Sequence, residues 1–559
     1  MALAGIAFLA TALTPPSAIA AELPRLVLQI TVDQLRYDLV QRYANGYTAD
    51  GFRYLWENGA VYANAHHRHA NTETIVGHTT LATGTDPAVH GMVGNIWFDR
   101  KSDAVHYNIQ DARYPLLSAG GGVDQDTELD PTQRAATTDG RSPAAIITST
   151  ISDELALHFG PASKIFGVSV KDRGAISMAG HAGKALWFSK ADGGFVSSSY
   201  YFDALPGWVE DWNAGDKVES FAETEWTLLL DPSRYRFADR DNQPWEVDFS
   251  GFGRTFPHAF GSAKDKYFTT FLTMSPAGDA ITLDFAKAVV EAEDLGADDT
   301  PDYLAISFSS TDYVGHMFGP SSLEAEDNMK RLDRVLGDLF MFIDDKVGLD
   351  RTLIVLSADH GATEAPGYLA TLGIEASIFD FGEINKEPAI EALTREFGLA
   401  EELIASFTHP YIFLDNEVIE SAGLDKSVVE RRVAEELTKI PGIAFAVGSS
   451  ALRSGSLPQT PLTAQVRANF HADRSGDIYV VLEPHWFVGD FDGLTVATAH
   501  GSPWRYDTHV PIVFVGAGIE PALIHRQVET VDVAPTIAAY LGTKPPSGAL
   551  GVPLVEVVD

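Results

Sequence analysis

Several stretches of the chain are apolar almost without interruption, and each breaks off into polar residues. They run over residues 26–32, 164–170, 304–308, 352–356 and 510–516, with a less apolar one at 59–65. Such runs, rich in Val and Ile, predict strands buried on both faces of a sheet. Between them the spacing of apolar positions changes to that of helices. Met329, Leu332, Val335, Leu336 and Leu339 mark one face of a long helix over 323–347. Ile75, Val76, Leu81 and Ala82 suit a helix stopped by Gly84, with Thr72 or Thr74 at its amino end. Further helical patterns cover 144–158, 281–295 and 531–541. Strands alternating with helices predict an α/β fold, a three-layer sandwich with a mostly parallel central sheet and helices on both faces.

Two regions interrupt that rhythm. Residues 197–300 are rich in Trp, Phe, Tyr, Asp and Gly and hold few apolar runs before the helix near their end. Residues 366–490 carry helical patterns at 386–397 and 428–438 and a strand at 476–483. Both read as inserted cap regions, leaving 21–196, 301–365 and 491–559 as three parts of one core.

The 559 residues are enough for a large core, and 45% hydrophobic with 21% charged content is that of a folded chain. The 40 basic residues against 77 acidic ones give a net charge of −37, which argues against nucleic acid as a partner. Residues 2–13 are apolar and Ala18-Ile19-Ala20 fits a cleavage site. This predicts a signal peptide over 1–20 and a periplasmic or secreted protein, although no Lys or Arg precedes Arg25. No later stretch approaches 18 apolar residues, so no membrane span is expected. The absence of Cys removes thiolate ligands and Cys nucleophiles. Any metal would be held by His, Asp and Glu.

The ends of the apolar runs carry the candidate chemistry. The first ends in Asp33. The run 304–308 is followed by Asp312 and His316 in what reads as a glycine-containing turn, and the run 352–356 by Asp359-His360-Gly361. Acids and histidines released at strand ends point to a metal site in the crevice beside the sheet. Thr72 or Thr74, at a helix amino end beside free backbone N–H groups, is well placed to become esterified to phosphate. Lys171 and Arg173 form a positive cluster in an acidic chain. The close histidines His66, His67 and His69 match no ligand spacing and are expected to have surface or packing roles.

Together, Asp33, Thr74, Asp312-x3-His316, Asp359-His360 and a late His before a Val-Pro strand resemble the alkaline phosphatase superfamily with a type I phosphodiesterase/nucleotide pyrophosphatase core. Thr74-x2-Gly77-His78, Gly94-Asn95, Lys171-Asp172-Arg173-Gly174-Ala175 and Ala179-Gly180-His181 are closer to its single-chain bacterial alkaline phosphatases with a threonine nucleophile. That resemblance implies two zinc ions, one held by Asp312, His316 and His500, the other by Asp33, Asp359 and His360, with Thr74 between them. His509 is the alternative to His500. Asn95, Lys171 and Arg173 would contact phosphoryl oxygens. The implied reaction is broad-specificity hydrolysis of small phosphate monoesters through a phospho-threonine, with room for some secondary diesterase activity, in a protein favoured to be a monomer. The alternative is a phosphodiesterase or nucleotide pyrophosphatase on the same core. Cationic groups reaching the extra charged oxygen of a monoester dianion favour the first reading.

Overall fold

The computed structural model describes residues 23–118, 120–382, 384–491 and 494–558; the expected signal peptide lies outside the described residues. Ten strands form the main sheet: β1 (Leu26–Val32), β2 (Ala60–His66), β3 (Ile165–Ser169), β4 (Lys184–Ser189), β5 (Gly194–Val196), β6 (Asp302–Phe308), β7 (Thr352–Ser357), β8 (His509–Val515), β9 (Ala522–Ile524) and β10 (Val528–Glu529). Their order is β9-β2-β8-β7-β1-β6-β3-β4-β5, with β10 also paired to β2. Strands β7, β1, β6, β3 and β4 lie side by side and parallel. Only β8 and β5 run against their neighbours' common direction.

Seven helices matter to the site: α1 (Thr74–Thr83), α2 (Ile151–Phe159), α3 (Asp172–Ala179), α4 (Pro276–Ala292), α5 (Ser310–Phe318), α6 (Leu323–Lys346) and α7 (Val533–Leu541). The two faces of β1 separate them. Leu28 and Ile30 pack into a cluster with Phe285 and Val289 of α4 and Leu336 and Phe340 of α6. Val27, one residue out of phase, joins Leu81 of α1, Leu155 of α2 and Ile537 of α7 on the other face. That makes three layers. Each such side chain withdrawn from water contributes about 1.5–3 kcal/mol, so both faces of the central strands are held firmly.

Two helix starts differ from the pattern read in the sequence. The helix expected over 144–158 begins only at Ile151, where the Thr150 side chain accepts from Asp153 N and the Asp153 carboxylate accepts from Thr150 N. Helix α4 begins at Pro276 rather than Ile281, because Ser275 caps it and proline fits its first turn. Within 366–490 there is a second, antiparallel sheet in the order Ile404–Thr408, Tyr411–Leu414, Ile478–Leu482, Ile443–Gly448. It has its own apolar core, including Ile390, Val429 and Leu437. The strand expected at 476–483 belongs to this smaller sheet. Among the described residues no helix is long and apolar enough to cross a membrane.

Candidate active site

Pairing keeps the parallel strands level: Val32 lies opposite Phe308, Thr31 opposite Ser357, and Ser307 opposite Ser169. The chain therefore leaves β1, β6, β7 and β3 at one edge of the sheet, and the candidate residues emerge there together. Asp33 follows β1, and a left-handed Gln34 (φ 66°) turns the chain away. Asp359 and His360 follow β7. Asp312 and His316 are not in a turn. They lie on α5, whose first N–H groups are met by Asp279: Ser310 N donates to Asp279 Oδ1 at 3.0 Å. Glycine at 315 marks a close approach rather than a turn, since a Cβ there would sit 1.9 Å from Gln34 Oε1. The helix places Asp312 and His316, four residues apart, on one face.

Two trios result. His316 Nε2 lies 3.2 Å from Asp312 Oδ1 and His500 Nε2 lies 3.5 Å from the same oxygen. His360 Nε2 lies 3.5 Å from Asp33 Oδ1 and 3.4 Å from Asp359 Oδ2. His360 also stands at the junction of the two: its ring stacks on His500 at 3.6 Å, and Asp312, His360 and His500 present ligand atoms within 4.8 Å of one another. His509 is elsewhere, stacked between Tyr37 and His66 with Nε2 3.0 Å from Ala63 O.

The donor atoms suit divalent metal ions. Each site histidine spends Nδ1 on a backbone carbonyl: His316 on Thr498 O at 2.8 Å, His500 on Thr72 O at 2.8 Å and His360 on Gly361 O at 3.0 Å. This fixes the tautomer that leaves Nε2 as a lone-pair donor toward the carboxylates, as in metal-ligating histidines. His360 Nε2 is buried and makes no hydrogen bond. Burial and the adjacent Asp359 raise Asp33 well above the usual carboxyl range, whereas His360 and His78 hold Asp359 low against the effect of its burial. Stripping bound metal is expected to destabilise the protein by roughly 4 kcal/mol for an ion held at a thousand times its Kd. The reading is a fall in Tm on chelation that added divalent metal restores; an unchanged Tm would count against both trios as metal sites.

Thr74 opens α1, and Gly77 lets the helix meet the β7 loop, since a Cβ there would stand 1.9 Å from Asp359 O. Ile75 N donates to Asn95 Oδ1 at 3.1 Å, which leaves the Asn95 amide N–H groups for the cavity it lines. The Lys171-Asp172-Arg173 segment is not a free turn. Lys171 is the N-cap of α3 and Arg173 lies in its first turn. Lys171 Nζ lies 2.7 Å from Asp33 Oδ2 and also donates to Asp312. Burial opposes its charge, but Asp312 and Asp33 outweigh this and raise its pKa. Arg173 Nη2 reaches Thr74 Oγ1 at 3.3 Å.

Several contributors are invisible in the sequence. Asp130 accepts from Arg173 Nη1 at 2.6 Å, and its other oxygen caps the helical turn at Pro131. Gln34 donates to Asp312 Oδ1 at 2.7 Å. Tyr313 presents its ring to Lys171 Nζ at 4.9 Å. Glu73, pushed up to about 7 by burial, accepts from Asn95 N. His78 belongs to a motif visible in the sequence, and only the fold reveals that it braces Asp359. Its Nδ1 is 3.0 Å from Asp359 Oδ2 and its Nε2 is 2.8 Å from Ser307 Oγ. His67 and His69 are buried and brace loops; His67 Nε2 donates to Ala358 O at 3.0 Å and His69 Nδ1 to Asn71 O at 2.9 Å. A cavity of about 380 Å³ opens over Asn95, Arg173, Asp312, His316 and His500.

Residues 27–503 match the family described as type I phosphodiesterase / nucleotide pyrophosphatase. The chain belongs to this family. Its relatives include a protein of Myroides odoratus named calcium-transporting ATPase, 35% identical over 96% of this chain and 95% of its own. Alkaline phosphatase PhoV of Synechococcus elongatus is 33% identical over 96% of this chain and 93% of its own. Alkaline phosphatase PafA of Elizabethkingia meningoseptica is 33% identical over 96% and 94%. The crystal structure of wild-type PafA superposes with a TM-score of 0.87 at 32% identity, covering 97% of this chain and all of that one. PafA has also been solved with a threonine, an asparagine, a lysine and an arginine replaced. The match to PafA places this family member in the alkaline phosphatase superfamily as a single-chain enzyme.

Proposed function

We propose that this protein is an alkaline phosphatase: a metal-dependent phosphomonoester hydrolase that works through a phospho-threonine at Thr74. The observation that carries the reading is the placing of Thr74 Oγ1 beside Arg173, with two Asp/His trios at the same sheet edge. The four positions replaced in the PafA variant have the spacing of Thr74 to Asn95 and of Lys171 to Arg173 here, which supports their assignment to the reaction.

In this reading Asp312, His316 and His500 hold one zinc ion and Asp33, Asp359 and His360 the other. The oxygen and nitrogen donors, without thiolate, suit that ion. When bound, the ions supply Lewis-acid stabilisation to the attacking and leaving oxygens. Thr74 Oγ1 forms a bond to phosphorus as the bond to the leaving oxygen breaks in line behind it. Water then attacks phosphorus and releases Thr74, so two displacements give retention of configuration. Arg173, oriented by Asp130, Lys171, and the amide of Asn95 receive the charge on the non-bridging oxygens.

The second reading, a phosphodiesterase, is favoured by the apolar wall of the cavity, which could accept a second ester group. The ratio of kcat/KM for an aryl phosphate and its methyl diester, measured on zinc-loaded protein, separates the two. The monoester is expected to exceed the diester by orders of magnitude. A diester preferred by a similar margin would overturn the monoesterase reading.

A further inference from the structure

The two trios differ in their access to the cavity. Asp312, His316 and His500 line it; Asp33, Asp359, His360 and Thr74 do not. In an in-line displacement the leaving oxygen departs on the side of phosphorus opposite the nucleophile. Thr74 Oγ1 lies 3.3 Å from Nη2 of Arg173, which lines the cavity, so a leaving group directed away from Thr74 extends into the cavity.

The composition of that cavity then sets what the leaving group can be. Its outer wall comes from outside the central sheet. Ile96 and Val105 belong to the hairpin of Ile96–Asp99 and Ala104–Tyr107, Phe407 to the strand Ile404–Thr408, and Val488 to the strand Trp486–Val488. These four are partly exposed, and Leu129 and Val496 lie buried around them. Arg173 is the one Lys or Arg among the described lining residues, and Asp130 already pairs with it. His409 is held neutral by burial, which pushes it down to about 4. Nothing there is suited to a second phosphate.

Resting on the phosphomonoesterase reading, we infer that this cavity is a leaving-group subsite selecting uncharged apolar alcohols. The substrate class is alkyl and aryl phosphate monoesters whose leaving group carries no further anionic group. Removal of apolar surface from water supplies the selectivity, and with Arg173 already paired to Asp130 a second anionic group on the leaving side meets no further Lys or Arg among the described lining residues.

A homologous series isolates this effect, because ethyl and n-hexyl phosphate release alcohols of nearly equal basicity. On zinc-loaded protein, kcat/KM for hexyl phosphate should exceed that for ethyl phosphate at least tenfold. Hexane-1,6-diol bisphosphate, with the same chain and a second phosphate, should lose that gain. Phe407→Ala and Val488→Ala should each reduce the hexyl-to-ethyl ratio several-fold. Calorimetric binding to zinc-loaded Thr74→Ala should show the same ordering of Kd without turnover. A hexyl-to-ethyl ratio near one in either measurement, or a ratio untouched by both wall substitutions, overturns the inference. Absence of any Thr74-dependent turnover of ethyl phosphate would instead overturn the monoesterase reading beneath it.

Discussion

Thr74→Ala is expected to reduce turnover of an aryl phosphate by roughly a thousandfold or more, with zinc content and Tm unchanged. Thr74 is 1% exposed and sits at the amino end of α1, where the next N–H is already taken by Asn95. Its hydroxyl is therefore not needed to cap the helix, whose N-cap position is Glu73. Removing the hydroxyl and its neighbouring methyl leaves both Asp/His trios and their carbonyl-anchored histidines in place, so the loss should be confined to the chemical step. Thr74→Ser keeps the oxygen and should recover most of the activity. Trapping with acid during turnover should label the wild type on Thr74 with phosphate. Full activity in the alanine variant with zinc bound would remove Thr74 from the reaction.

The parts of this site legible in the sequence are those where local pattern and chemistry coincide. Val32-Asp33 and Ser357-Ala358-Asp359 could be read because a doubly buried strand is a short, uniformly apolar run, and its end is marked by the first charged residue. Thr74 could be read because Gly84, left-handed at φ 65°, stops its helix. Helix α5 could not. Ser309-Ser310-Thr311 and Gly315 weaken its helical signal, and what stabilises it is distant: Asp279 at its amino end and Gln34 against Gly315. The same separation hides Asp130, 43 residues from Arg173, and Gln34, 278 residues from Asp312. In a chain with 77 acidic residues, an Asp that orients an arginine looks like any other until the fold brings them together. The small sheet within 366–490 is legible only in part. The fully buried Ile478–Leu482 reads as an apolar run, whereas Ile404–Thr408 and Ile443–Gly448 are half-buried and alternate too briefly to stand out.

Lys171→Ala should lower kcat/KM for a phosphate monoester by about a hundredfold, and for the matching diester by no more than about tenfold. The reasoning is electrostatic. Lys171 Nζ is 1% exposed and touches the Asp33 carboxylate, one member of each trio being within its reach. With metal neutralising Asp33 and Asp312, its charge becomes available to the substrate. A monoester dianion carries one more negative charge than a diester. A unit charge pair at about 4 Å with an effective dielectric near 20 interacts by about 4 kcal/mol, so even part of that difference gives the expected discrimination. Tyr313, whose ring faces Lys171 Nζ at 4.9 Å, keeps the ammonium from swinging away, and Lys190 Nζ donates to the Tyr313 hydroxyl at 3.1 Å. The comparison must be made on zinc-loaded protein. In the metal-free protein, losing Lys171 would leave buried carboxylates facing each other, a destabilisation of about 3–5 kcal/mol that would mask the substrate effect. Equal losses on monoester and diester would mean that Lys171 organises the metal ligands instead of reading the charge of the substrate. In that case Arg173 alone, fixed by Asp130, would have to account for any monoester preference.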